Sequence, residues 1–183
     1  MAKRKSYRYV LKQNGTVSLI ILVLVLGCVK NNTKSETLSS DWKPLMIQDV
    51  RETWRANYPG HAIEVIADFN GDNVLDKATL SVKQGEATIG LVVLMNAIEN
   101  GSPKTVFVEQ FKKMPIQDIG IANVPLGVYR TICGKGYSKC NPSEKKSVEL
   151  KNAGIDLFLF ESSHILFYWD QQTEHFDKVW LSD

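Results

Sequence analysis

The stretch HAIEVIADFNGDNVLDKATLSVK, residues 61–83, decides the fold. On both sides of its polar middle, apolar residues recur at every second position: Ile63, Val65 and Ala67 before it, Ala78, Leu80 and Val82 after it. A period of two describes half-buried strands, not a helix. The middle, ADFNGDNVLD from Ala67 to Asp76, is turn chemistry. Gly71 permits a sharp bend, and Asn73 tolerates left-handed dihedrals better than other non-glycine residues.

Downstream, the same period and its punctuation predict further strands. With the first two at about 62–68 and 77–83, they fall at about 88–96, 105–111, 127–132, 156–161, 164–169 and 176–181. IGLVVLMNAI, from Ile89, is a continuous apolar run, as expected of a central strand covered on both faces. QFKKMPIQDIGIANVPLG, from Gln110, carries Pro115, Gly120 and Pro125 and reads as an irregular connection.

Upstream lies DWKPLMIQDVRETWRANYPG, residues 41–60, where Ile47, Val50, Trp54 and Tyr58 recur at three- and four-residue spacing. With Asp41 as a cap, Pro44 near the first turn and a stop at Pro59-Gly60, this predicts an amphipathic helix. The expected fold class is therefore α+β: one N-terminal helix packed on a mainly antiparallel, twisted sheet, with a small β-sandwich or barrel as the alternative. No internal repeat is visible.

The first residues, MAKRKSYRYVLKQNGTVSLIILVLVLGC, carry five basic and no acidic side chains, then an apolar run from Val17 to Leu26. That run is about ten residues, against about 20 for a spanning helix, so residues 1–27 read as a secretory signal and not as fold. Val25-Leu26-Gly27-Cys28 resembles the lipobox of bacterial lipoproteins. The resemblance implies cleavage before Cys28, acylation of that cysteine as the first residue of the mature chain, and anchoring by several chains. Each buried methylene contributes about 0.8 kcal/mol, and one chain alone binds only marginally. Val29, not aspartate, follows the cysteine, which by the same resemblance favours the periplasmic face of the outer membrane. VKNNTKSETLSS, residues 29–40, is too polar to offset its ordering entropy, and residues 28–40 are expected to form a flexible tether to a single domain at 41–183.

The whole chain has 22 Lys+Arg and 20 Asp+Glu; without its five leading basic residues it carries a net charge of −3. A mildly acidic chain with no evident basic stripe argues against a nucleic-acid partner. Beyond Cys28 two cysteines remain, in CGKGYSKC: Cys133 and Cys140. In an oxidising compartment this pair reads as a local disulfide, worth roughly 2 to 3 kcal/mol for so short a loop. Its lysines are expected to form a solvated tip.

The loop of residues 68–76 is also a candidate cation site. Asp68, Asn70 and Asp72 offer side-chain oxygens, Val74 a carbonyl and Asp76 a closing carboxylate, and a hard cation such as calcium needs six to eight oxygens. The pattern resembles the D-x-[DN]-G-D-x-x-x-D loop of FG-GAP and VCBS-type exported proteins. Position 12 is Thr79 and not the bidentate glutamate of an EF-hand, so affinity is expected to be weak, on the order of 10⁻⁴ to 10⁻³ M, and the ion structural. The competing reading is a metal-free turn whose Asp and Asn side chains bond their own backbone.

Catalytic signals are sparse. His61, His164 and His175 are scattered, no G-x-S-x-G surrounds Ser162 or Ser163, and Glu161 with Asp170 is a carboxylate pair of unknown proximity. The C-terminal DLFLFESSHILFYWDQQTEHFDKVWLSD is rich in rings, read as hydrophobic core with an exposed aromatic face as the alternative. It resembles the closing hairpin of a group of small uncharacterised proteobacterial exported proteins, a group that implies no activity. The expectation is a non-catalytic, lipid-anchored periplasmic binding protein with a structural calcium loop. Its most concrete version is an inhibitor or immunity-type protein of an envelope-targeted toxin or hydrolase. An accessory lipoprotein of an envelope complex and a metal-dependent hydrolase using Asp68, Asp72 and Asp76 are the alternatives.

Overall fold

The computed structural model describes residues 41–50, 52–96 and 103–182. The signal, Cys28 and the tether lie outside the described residues. In chain order the strands are β1 (Trp42–Pro44), β2 (Glu64–Ala67), β3 (Asp76–Lys83), β4 (Thr88–Met95), β5 (Lys104–Lys112), β6 (Ile119–Val124), β7 (Gly127–Arg130), β8 (Ser147–Leu150), β9 (Gly154–Leu159), β10 (His164–Asp170) and β11 (His175–Ser182). All pairings are antiparallel.

The opening stretch does form a hairpin, with Ala67 paired to Asp76 and Glu64 to Thr79. It seeds the first sheet, ordered β1-β3-β4-β5, in which β1 and β2 share the same edge of β3. The second sheet runs β11-β10-β9-β6. The sheets face each other across one apolar core: Ala78, Leu80, Leu91 and Val93 from the first, Ile119, Ile121, Ile155, Leu157 and Phe167 from the second. Burying each of the larger of these side chains contributes about 1.5 to 3 kcal/mol.

Alternation decides which residues face that core. Ile165 and Phe167 of β10 point into it, whereas Leu166 and Tyr168 point the other way and meet Val124, Val148 and Leu150. The two-stranded ribbon β7-β8 thus covers the outer face of the second sheet as a third layer. On the outer face of the first sheet, Gly90 provides a seat for Trp42 and Phe107, whose ring centroids lie 5.0 Å apart. A β-carbon at Gly90 would come within 2.7 Å of the Trp42 ring.

The architecture is therefore mainly antiparallel β, with two facing sheets and no closed barrel, and it corrects the expected N-terminal helix. Residues 41–60 instead give β1 and short 3-10 turns at Ile47–Asp49, Thr53–Asn57 and Pro59–Ala62. Pro44 lacks an amide donor and fits an edge strand. Arg55, which a helix would turn outward, is the most buried described residue of 41–58, at 1 % exposure. Its guanidinium donates to the carbonyls of Ile116 (2.9 Å), Gln117 (3.1 Å) and Ile119 (2.7 Å). Of the apolar residues at helical spacing, Val50 is buried, Trp54 and Tyr58 are half-buried and Ile47 is exposed, and periodicity gave no sign that Arg55 has backbone acceptors waiting.

The stretch expected to be irregular, residues 110–127, contains β6, the edge strand of the second sheet that supplies Ile119 and Ile121 to the core. Its turn before Ile119 is the part that Arg55 holds. The short strands β1 and β8 were also not expected. All eight predicted strands are present, within three residues at each end.

Candidate functional site

The aspartate loop leaves β2 and returns into β3 at one end of the sandwich. Each acidic side chain in it is engaged with backbone. Asp68 accepts the amides of Gly71 (2.6 Å) and Asn73 (2.9 Å), Asn70 Oδ1 accepts the amide of Asp72 (3.1 Å), and Asp72 accepts that of Val74 (2.8 Å). Gly71 and Asn73 both adopt left-handed dihedrals, at φ 79° and 68°. A side chain at Gly71 would also collide with Asn152, in the turn between β8 and β9. Gln171, in the turn between β10 and β11, donates to the carbonyl of Asn70. The loop therefore bridges the two sheets.

Asp76 is fully buried and accepts amides from Phe69 (3.0 Å) and Asn96 (2.8 Å). Burial pushes its carboxyl above the usual aspartate range, the two amides oppose that, and the nearby charges of Asp72 and Asp68 push it further up. No group of three or more His, Cys, Asp or Glu stands close enough to share a metal among the described residues. The donor set nonetheless suits a hard cation. A carboxylate offers about four acceptor positions, so an oxygen that accepts an amide retains a lone pair for an ion.

The second candidate lies where the outer layer meets β11. Cys133 and Cys140 are joined as a disulfide, with Cα atoms 5.0 Å apart. The buried Thr131 hydroxyl donates to the carbonyl of Lys145 (2.7 Å) and accepts the Gly134 amide (3.1 Å), tying both arms of the hairpin together. Ile132 donates to the carbonyl of Trp180, docking the hairpin on β11. A cleft of about 270 Å³ remains between them. In it Lys145 Nζ donates to the Tyr168 hydroxyl (2.9 Å), which donates to Asp177 Oδ2 (3.3 Å), while Lys145 lies 3.9 Å from the same carboxylate. The Tyr168 hydrogen bond is the main cause of an upward shift of the Lys145 ammonium, so it stays charged.

Trp180 lines this cleft and is 45 % exposed. Of the C-terminal rings, Phe158, Phe167 and Tyr168 are buried and Phe160, Trp169 and Phe176 are half-buried, as the core reading expects; Trp180 is the single exposed ring among them. Lys135 and Lys139 are exposed, as a solvated tip requires. Lys145, Tyr168 and Asp177 carried no sequence signal as a group: separations of 23 and nine residues match no helical or strand period, and β10-β11 pairing alone brings Tyr168 opposite Asp177.

The possible acid-base pairs are separated. Glu161 precedes β10 and Asp170 ends it, so they stand at opposite ends of that strand. His164 Nδ1 lies 2.8 Å from Asp156 Oδ2, and His175 Nε2 lies 3.3 Å from Asp177 Oδ1. The His164 ring stacks on Phe158, part of an aromatic cluster with Trp54, Tyr58 and Phe160. Asp156 is mostly buried, which raises its carboxyl above the usual range against the opposing bond and charge of His164.

No family model matches this chain, and neither a curated protein nor a solved structure is similar enough to match it.

Proposed function

We propose that this chain is a non-catalytic binding protein of the bacterial envelope, anchored through acyl groups on Cys28 to the periplasmic face of the outer membrane. Its partner is a protein, received at the disulfide-stapled cleft, and the most concrete form is an inhibitor of an envelope-targeted toxin or hydrolase. The observation that carries the reading is the convergence of Lys145, Tyr168 and Asp177 beside the half-exposed Trp180. A charged group fixed by two partners, next to an amphipathic ring, is the composition of a protein-binding hot spot. The disulfide and Thr131 hold one wall of that cleft in place without the partner, which lowers the ordering cost of binding.

In this reading the aspartate loop is a structural calcium site. Asp68, Asn70, Asp72, the Val74 carbonyl and Asp76 would hold the ion once drawn together by it, and the ion would offset their negative charge and stiffen the bridge between the sheets.

Two measurements test the proposal. Intact mass of the membrane-extracted protein should show a chain beginning at acylated Cys28, and Cys28→Ser should abolish that species. Pull-down from envelopes should recover a stoichiometric protein that is lost with Trp180→Ala and Lys145→Ala while the fold is retained. A metal-dependent hydrolytic activity lost in Asp72→Ala, with folding intact, would replace this reading by the hydrolase alternative.

A further inference from the structure

Charge is strongly segregated in this domain. Residues 130–151 hold Arg130, Lys135, Lys139, Lys145, Lys146 and Lys151 against Glu144 and Glu149, whereas the rest of 41–183 has nine basic and seventeen acidic residues. The average composition hides this basic segment, which is continuous in sequence and lies in the ribbon β7-β8, its disulfide hairpin and the turn that follows. Arg130, Lys139 and Lys146 are exposed and have no ion-pair partner among the described residues.

Large apolar side chains share the same layer. Leu126 is 66 % exposed, Val128 68 % and Tyr137 70 %, the three most exposed large hydrophobics among the described residues. Pairing explains the direction of Val128, which shares its outward face with Glu149 opposite it. Tyr129 and Val148 face one another inward over the second sheet, so Val128 and Arg130, one position to either side, face outward.

We propose that this outer face of the ribbon docks on an anionic lipid surface, with Arg130, Lys139 and Lys146 at headgroup level and Leu126, Val128 and Tyr137 dipping into the interface. Clustered Lys and Arg next to a membrane are attracted by its anionic lipids, and aliphatic and aromatic side chains among them add buried apolar area. The complementary charge argues for lipid over a neutral partner. The interleaved aliphatic residues, which have no use on a phosphate backbone, argue for lipid over nucleic acid. The face is distinct from the cleft at Lys145, Tyr168 and Trp180, so it does not depend on the protein-partner reading.

The test uses the full chain reconstituted into phosphatidylglycerol vesicles and, separately, phosphatidylcholine vesicles, with amide hydrogen exchange followed along the sequence. Exchange in 126–130 and 135–140 should slow several-fold on the anionic vesicles alone, and the slowing should vanish at high salt. An Arg130→Glu/Lys139→Glu/Lys146→Glu variant should lose it, and a Leu126→Ser/Val128→Ser variant should retain only part of it. Both variants carry the wild-type N-terminus, so any membrane attachment made there cancels in the comparison, and an unchanged melting temperature certifies their fold. Equal exchange on the two vesicle types, or slowing that survives the charge reversal, would overturn the proposal; the ribbon would then be assigned to a protein partner.

Discussion

Asp76 accepts the Phe69 amide at 3.0 Å, closing the aspartate loop from its buried side while its other oxygen takes the Asn96 amide at 2.8 Å. The carboxylate therefore joins the loop, β3 and the end of β4. Asp76→Ala strands two amides, each costing about 1 to 3 kcal/mol when buried, so a loss of roughly 2 to 4 kcal/mol is expected in urea unfolding. The cost should appear without calcium, because the two amide bonds exist independently of an ion.

Calcium separates the outer carboxylates from Asp76. Millimolar calcium should raise the melting temperature of the wild-type chain, and a chelator should reverse the rise. Asp68→Ala and Asp72→Ala should each lower the melting temperature and abolish the response to calcium. A response that survives in both variants would place the ion elsewhere.

Arg55 offers a sharper test of packing. Its guanidinium serves three carbonyls of the turn that leads into β6, and its ring-facing side lies 4.4 Å from the Trp54 centroid. Arg55→Met keeps much of the volume but leaves those carbonyls without their donor, so a loss of about 3 kcal/mol or more is expected. Arg55→Lys should recover only part of this, because an ammonium cannot reproduce the planar fork. Thermal or urea unfolding measures both.

Reduction probes the hairpin. Cys133→Ser/Cys140→Ser should cost roughly 2 to 3 kcal/mol, the chain-entropy value for so short a loop. If the disulfide holds the cleft in its binding shape, partner affinity should fall even at temperatures where the variant remains fully folded.

Asp156 predicts a pH dependence. Its proton is held more tightly in the folded chain than in the unfolded one, because burial outweighs the help of His164. Between the ordinary aspartate value and the raised folded value, the folded state therefore binds more protons. Its contribution to stability grows as pH falls through that window and is lost as pH rises through the folded value. Exposed Asp170, held below the usual range mainly by the Gln172 and Thr173 amides, acts in the opposite sense at lower pH. Stability measured from neutral pH down towards about pH 4 should rise less in Asp156→Asn than in wild type.

The hairpin of residues 61–83 was legible because its signals are local: a period of two and a Gly-Asp-Asn turn fix strands whatever surrounds them. The cysteine pair was legible for the same reason, seven positions apart in one loop. Residues 41–60 misled because a helical spacing of apolar side chains also suits a segment laid across an aromatic cluster. Trp54 stacks on Phe160 at 4.6 Å, a contact over a hundred residues away in sequence. β6 was obscured by its prolines and glycine, although Gly120 is needed there: a β-carbon would strike the Phe158 ring at 2.5 Å.

By itself, then, the sequence determined what neighbours in the chain can settle: strand period, turn chemistry, the cysteine loop and the donor types of the aspartate loop. Only the tertiary structure decided that the sheets face one another, that Arg55 goes inside, and that Lys145, Tyr168 and Asp177 meet. The physical reason is range. Turns and alternation are set by the sterics of adjacent residues, whereas burial and charge pairing depend on which distant strands pair.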